Sequence, residues 1–291
     1  MPGINRTHRE NLLRALGENT LRCANPISDV SQIPDRRQVV LLIKDLQSLM
    51  FPNYFRVSGR HEGEEGDLYT WAYRSLHDLF TKCLPLFQKD CERDADELAM
   101  EFLDKLPGIK SLLISDANAI YEGDPAALSC EEVLICYPGF YAISIHRLAH
   151  AMYQMQIPLL PRIMSEYAHE KTGIDIHPGA SIGRRFCIDH GTGIVIGETA
   201  RLGDDVKLYQ GVTLGAKSFS LDEEGKPVKG VHRHPTIGND VVIYANAVIL
   251  GGDTVVGDHC VIGGSVWLTE SIPDNTIIYY DGENKIRNKP L

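Results

Sequence analysis

The sequence predicts an α+β chain. An N-terminal α-helical domain over residues 1–170 is followed by a parallel β-helix of hexapeptide repeats over residues 171–272, and then by a tail over residues 273–291. Two observations carry this reading. Apolar residues recur at a helical period near 3.6 up to about residue 170, and at a period of six from Ile176 onward. The six-residue repeat then persists for thirteen lead positions, just over four coils of three short strands each. A chain of 291 residues is long enough to bury a core in each part.

In the first part, Val39 to Met50 places Val40, Ile43, Leu46, Leu49 and Met50 on one face, with Lys44, Asp45 and Gln47 off it. Leu68 to Phe87 and Glu92 to Leu106 repeat the pattern. Tyr141 to Met155 forms another amphipathic helix, followed by Pro158 and Pro161. Such stripes read as core packing rather than as a cofactor box. Residues 58–67 (SGRHEGEEGD) form a polar loop.

In the second part the lead residues are Ile176, Ile182, Ile188, Ile196, Leu202, Leu208 and Leu214, then Ile237, Ile243, Ile249, Val256, Ile262 and Leu268. The fourth residue after most leads is small or apolar, as at Ala180, Ala200, Val206, Ala247 and Cys260. Glycine often follows the lead, as at Gly183, Gly203, Gly238 and Gly257. A period of six fits neither an α-helix nor a long strand. It fits a prism with one hexapeptide per face, each lead pointing inward and small residues turning the corners. Single coils cannot bury their apolar faces, so stacking stabilises them.

Composition narrows the function classes. Apolar content of 43% and charged content of 23% are those of a globular protein. A formal charge of −10 leaves no global basic footprint, which argues against nucleic acid as the main partner. The seven cysteines show no CxxC pair, so neither a zinc knuckle nor a disulfide framework is expected. The first thirty residues lack an apolar h-region and no later run approaches ~20 apolar residues, so the expected location is cytoplasmic, without membrane contact.

The repeat is disturbed three times, and solenoid insertions commonly build the binding face. Between Ile188 and Ile196 the spacing is eight, the extra residues falling in Asp189-His190-Gly191-Thr192-Gly193. Between Leu214 and Ile237 lies an excursion, residues 215–236, with Lys217, Lys226, Lys229, His232, Arg233 and His234. A one-residue slip follows at Gly251-Gly252. The first break suits acyl transfer to an alcohol. A hydroxyl needs a positioned base at neutral pH, and His190 can serve, with an intrinsic pKa of ~6.5. A carboxylate would fix its tautomer, and Asp175, fifteen residues earlier, lies nearly one 18-residue coil away. Asp189 is left for an ammonium group, and Arg233-His234 for a carboxylate. A histidine in a Gly-rich corner is ordinarily a turn residue, and a corner aspartate ordinarily caps backbone N–H groups. Here both pairs coincide with breaks in an otherwise strict repeat.

At these residues the chain resembles the serine O-acetyltransferases, within the hexapeptide-repeat acyltransferases. The matching stretches include Gly123-Asp124-Pro125-Ala126, Gly139-Phe140, His146-Arg147-Leu148-Ala149-His150, Asp175-Ile176-His177-Pro178 and Asp189 to Thr199. Gln210 to Gly215, Arg233-His234-Pro235 and Ile262 to Val266 extend the match over about residues 120 to 270. The resemblance implies a left-handed β-helix. It also implies direct attack of L-serine on acetyl-CoA, giving O-acetylserine for cysteine biosynthesis with no acyl-enzyme. By position it makes His190 the general base and Asp175 its dyad partner. Asp124 and Asp189 would face the serine amino group and hydroxyl side, and Arg233 and His234 its carboxylate. Gly215 and Ala216 would flank the thioester, and Ala245, Gly263 and Gly264 the CoA arm. No metal and no permanently bound cofactor are implied, and acetyl-CoA is a co-substrate. L-Cysteine is expected as a competitive inhibitor, and the assembly as a homo-oligomer, a trimer or a dimer of trimers. Members that dock onto O-acetylserine sulfhydrylase typically end in isoleucine, whereas this chain ends Lys289-Pro290-Leu291. The excursion also carries an added segment, residues 220–230.

Three rival readings compete. An acetyltransferase for a sugar or antibiotic hydroxyl shares the β-helix but not the helical domain or the Asp189-His190 pair. A metalloenzyme of the γ-carbonic anhydrase type would draw on His177, His190, His232 and His234, whose spacings do not suit one zinc. A catalytically idle trimerising scaffold would not need base, orienter and carboxylate contacts together.

Overall fold

The computed structural model describes residues 6–18, 33–55, 67–86, 93–218, 222–226, 228 and 230–282. The expected loop at 58–66, the ends Phe87 and Glu92 of two expected helices, Cys23, Cys91, Lys229 and the terminal Leu291 lie outside them.

Seven helices precede fourteen short strands among the described residues. They are α1 (Arg6–Glu18), α2 (Arg36–Met50), α3 (Leu68–Cys83), α4 (Ala95–Gly123), α5 (Cys130–Cys136), α6 (Pro138–Gln154) and α7 (Leu160–Thr172). Helix α2 starts where Asp35 accepts the Arg37 N–H at 2.8 Å, and α3 where Asp67 accepts that of Thr70 at 2.9 Å. Helix α4 runs 29 residues through Pro107, well beyond the expected end at Leu106. A proline removes one helical hydrogen bond, but Ile109, Leu113, Ala117 and Ile120 continue the buried face and hold the helix on course.

Each of the thirteen lead residues lies in its own strand. The first face carries β1 (Asp175–Ile176), β4 (Val195–Ile196), β7 (Thr213–Gly215), β10 (Val248–Leu250) and β13 (Trp267–Leu268). The second carries β2 (Ser181–Ile182), β5 (Arg201–Leu202), β8 (Thr236–Ile237) and β11 (Val255–Val256). The third carries β3 (Cys187–Asp189), β6 (Lys207–Tyr209), β9 (Val242–Ile243), β12 (Val261–Ile262) and β14 (Ile277–Ile278), the last a rung beyond the repeats read from sequence. All pairings are parallel, and leads stack on leads: Ile176 on Ile196, Ile196 on Leu214, Leu214 on Ile249. Their side chains fill the prism, fully buried at Ile188, Ile196, Leu214, Ile249 and Ile262. Left-handed backbone turns the corners at Arg185, Asp205, Asp240, Asn246, His259 and Ser265.

A buried ion pair fastens the helices to the first coil. Arg147 on α6 donates from Nε and Nη2 to the two carboxylate oxygens of Asp116 on α4, each at 3.0 Å. The same guanidinium reaches the carbonyls of Ile182 and Gly183, and Asp116 accepts the Phe186 N–H at 2.9 Å. The start of α6 lies so close to β3 that a Cβ on Gly139 would stand 2.6 Å from the Ile188 carbonyl.

Candidate active site

The corner between the third and first faces holds one group of residues. His190 follows β3 in left-handed backbone, with φ of 58°. Since many other corners share that conformation, it belongs to the architecture rather than to the chemistry. The extra residues of the eight-residue break make a bulge with positive φ at Gly191 and Gly193, and Gly193 N–H donates to the Gly173 carbonyl at 2.8 Å. His190 itself is exposed, and its Nε2 lies 3.6 Å from Asp189 Oδ1.

Asp175 stands on the same edge, but the coil step there is twenty residues, so Asp175 is in register with Val195 and not with His190. Among the described residues, the carboxylate within ion-pair reach of His190 is that of Asp189. Asp189 is not free either. Its Oδ2 lies 3.3 Å from Lys207 Nζ on β6.

Asp124, at the end of α4, joins this group from the helical domain. It accepts the Tyr137 hydroxyl at 2.6 Å and the Ala126 N–H at 2.8 Å. The Tyr137 hydrogen bond, then that of Ala126, holds its carboxyl below the usual range. The same bond pushes the Tyr137 phenol up to about 12, keeping it a donor. Lys207 also donates to the Gly123 carbonyl at 2.7 Å, so one ammonium ties the Asp124 turn to Asp189. Sequence reasoning missed Lys207 and Tyr137. Lys207 sits at an outward strand position and Tyr137 just before a helix, and neither disturbs a repeat.

The corner between the first and second faces holds the other group. Arg233 donates to Glu198 Oε2 at 2.5 Å, and Glu198 also accepts the Tyr153 hydroxyl at 3.1 Å. Thr199 organises the chain here. Its Oγ1 accepts the Arg233 and His234 N–H groups, while its own N–H donates to His234 Nδ1 at 3.1 Å. An acceptor Nδ1 leaves the ring proton on Nε2. Burial, with the Arg233 charge, takes His234 down to about 4, so it is a neutral donor near pH 7. Gly197 makes room for the ring, since a Cβ there would stand 2.0 Å from it. Glu198 borders an open cavity of about 730 Å³ lined by Tyr153, Arg162 and His177.

The residues expected along acetyl-CoA divide between the same two corners. Ala245, Gly263 and Gly264 stack at the third-to-first corner, where the Ala245 carbonyl accepts the Ser265 N–H at 2.9 Å and a Cβ on Gly264 would stand 3.2 Å from that oxygen. Gly215 ends β7 and Ala216 opens the excursion at the first-to-second corner. Between the corners lies the first face, whose outward column reads Asp175, Val195, Thr213, Val248, Trp267. Cys187, beside Asp189, is buried, and burial pushes its thiol up to about 12, which does not suit a nucleophile. No cluster of three or more His, Cys, Asp or Glu able to hold a metal occurs among the described residues. No helix among them is long and apolar enough to cross a membrane.

No protein-family model matches the chain. It is 46% identical over 267 residues to the plasmid serine acetyltransferase of Synechococcus elongatus, covering 84% of this chain and 81% of that protein. It is 43% identical over 178 residues to the serine acetyltransferase of Bacillus subtilis, covering 61% and 77%. Among solved structures it is similar to serine acetyltransferase 1 of Entamoeba histolytica in complex with L-cysteine, at a TM-score of 0.71 and 33% identity over 94% of this chain and 97% of that one. The Neisseria gonorrhoeae serine acetyltransferase in complex with serine matches at a TM-score of 0.57 and 28% identity, covering 87% and 98%. With a helical domain fastened to a parallel β-helix, and a relative this similar over four fifths of both chains, the protein belongs to the serine acetyltransferases, which are acyltransferases.

Proposed function

We propose that the chain transfers the acetyl group of acetyl-CoA to the L-serine hydroxyl by direct attack, with His190 as general base. The serine oxygen forms a bond to the thioester carbonyl carbon while its proton passes to His190. The tetrahedral intermediate then expels the CoA sulfur, which takes that proton back to leave as the thiol. Asp175 orients the imidazole once the acceptor engages Asp189. Asp124 and Asp189 hold the ammonium, and Arg233 with the His234 Nε2–H holds the carboxylate.

One observation supports the reading: His190 and Asp189 sit at one corner of the prism and Arg233 and His234 at the next, with one face between. A single chain cannot close that site. Three chains packed through their first faces would bring the first-to-second corner of one against the third-to-first corner of its neighbour, and would bury Val195, Val248 and Trp267. Gly215 and Ala216 would then face Ala245, Gly263 and Gly264 across one acetyl-CoA groove. L-Cysteine carries the same ammonium and carboxylate and puts a thiol against His190, where imidazole favours thiolate, so it competes with serine.

The test is CoA thiol release with L-serine, ethanolamine and sugars as acceptors. Activity with serine and little with ethanolamine is expected. His190→Ala should lower kcat by ~10²–10⁴, with the acetyl-CoA KM nearly intact. L-Cysteine should raise the apparent serine KM at constant Vmax, and alanine should do little. Equal use of ethanolamine, or near-wild-type turnover in the variant, would overturn the assignment.

A further inference from the structure

We infer that Tyr244 and Tyr279 form an aromatic slot, opened between them by Gly263, that takes the adenine ring of acetyl-CoA. The inference rests on the function proposed above and deepens it by giving the nucleotide end of the co-substrate a place. One residue per coil, each just after the inward residue of its strand, forms a column along the third-to-first corner: Asp189, Tyr209, Tyr244, Gly263 and Tyr279. The Tyr244 N–H donates to the Ile262 carbonyl at 2.8 Å and the Gly263 N–H to that of Ile278 at 2.7 Å, so the column is continuous. The rings of Tyr209 and Tyr244 stack with centroids 5.0 Å apart and planes within 14°. At Gly263 the column carries no side chain, and Tyr279 resumes it one coil later. Coils repeat at the strand spacing of about 4.8 Å, which sets Tyr244 and Tyr279 about 9.6 Å apart along the axis. A planar ring midway would lie about 4.8 Å from each, within the range at which aromatic rings stack. Both tyrosines are open to a ligand, Tyr244 at 43% and Tyr279 at 68% exposure. A Cβ on Gly263 would stand 3.0 Å from the Tyr279 Cβ, so a side chain there would close the slot.

The place of the slot on the column selects its occupant. Asp189, beside His190, marks the acceptor end, and Gly263 lies three coils further on, about 14 Å along the axis. Ala245 and Gly264, the next residues on two of these coils, keep the edge of the corner free of bulky side chains between the two ends. Serine has no ring. Acetyl-CoA has one aromatic group, the adenine, at the end remote from the thioester. With the acetyl group delivered to the acceptor end, the base therefore arrives where the tyrosine stack is interrupted. Stacking on a phenol ring uses the π-face of the base and needs no hydrogen bond to its edge. A tyrosine that only capped the last coil would stabilise the fold without distinguishing CoA from the same arm lacking its nucleotide.

The experiment measures the Kd of CoA by calorimetry, and those of pantetheine and ATP by displacement of CoA, in wild type, Tyr279→Ala and Tyr279→Phe. Tyr279→Ala is expected to weaken CoA about tenfold, within the range for removing an aromatic partner from a base. Pantetheine, which lacks the nucleotide, should stay within about twofold of wild type, which also reports that the rest of the groove is intact. Tyr279→Phe keeps the ring and should bind CoA as wild type does. An unchanged CoA Kd in the Ala variant overturns the inference, and so does an equal loss for CoA and pantetheine. A loss for ATP alone overturns it too, because the slot would then serve a free nucleotide. A Phe variant as weak as the Ala variant would make the hydroxyl, not the ring, the cause, and would equally sink it. If wild type binds CoA but does not acetylate serine, the reading beneath the inference fails while the slot stands, so the two failures are distinguishable.

Discussion

His234 shows how far a neutral side chain can be prepared for one contact. Thr199 fixes its tautomer, Gly197 leaves room for its ring and burial holds it unprotonated. Gly197→Ala puts a methyl 2.0 Å from that ring, so the imidazole must move while His190, at the other corner, is untouched. Serine KM should rise about tenfold, as expected for a displaced charge-assisted contact, with the acetyl-CoA KM unchanged. Initial rates over both substrates check this, and a parallel rise in both KM values would show that the ring does not read the acceptor. Legibility was uneven at this scale. Arg233 and His234 stood out because they end an interruption of the repeat, and His190 because it sits in an eight-residue step. Glu198, Thr199, Tyr137 and Lys207 disturb no pattern, and their roles come from neighbours remote in the chain.

The joint between the helices and the β-helix rests on Asp116 and Arg147, both buried. Removing one partner leaves the other charge buried and uncompensated, which costs about 3–5 kcal/mol. Asp116→Ala should therefore lower the free energy of unfolding by about that amount. It should also loosen the Asp124 turn, which ends the same helix. Urea unfolding followed by circular dichroism measures the first effect. A change below ~1 kcal/mol would mean that the joint is held by apolar packing. The helix α4 explains why this pair escaped sequence reading. Its apolar stripe is plain up to Leu106, but Asp116 looks like an exposed polar residue until the first coil closes over it. Gly139, by contrast, lies in a recognisable motif, and its close approach to Ile188 gives that motif its physical reason.

Two expectations belong to the whole molecule. The outward column of the first face is apolar apart from Asp175 and Thr213, and Trp267 is 69% exposed. Apolar surface of this kind marks an interface. Val195→Glu should therefore leave the proposed trimer as folded monomers that release no CoA, measured by light scattering and the thiol assay. Active monomers would refute an intersubunit site. The second expectation concerns acid. Burial is the leading cause that lowers His146, His150, His177 and His234 below 6.5, with His234 at about 4. Between those values the unfolded chain binds protons that the folded chain does not, so stability falls as pH drops from about 6.5 toward 4. At pH 5 the His234 contribution alone is about 2 kcal/mol. Urea midpoints at pH 7 and pH 5 check the sign, and equal midpoints would contradict it.

The sequence by itself determined the β-helix. Its six-residue period is a local property: each lead residue must point inward, and the thirteen leads named their strands one by one. It also located the breaks in the repeat, because an insertion into a strict repeat is visible without any knowledge of the fold. Tertiary structure decided which of those breaks meet. Asp175 and His190 stand fifteen residues apart, while the coil step at Asp175 is twenty and Asp189 lies within ion-pair reach of the imidazole. Within one chain, Arg233 and His234 stand one full face of the prism away from Asp189. Lys207 gained its place from a strand stacked above β3 and a helix end packed beside it, contacts that no local pattern encodes. Periodicity fixes how a chain winds, whereas the identity of neighbours across coils depends on the exact number of residues in each turn.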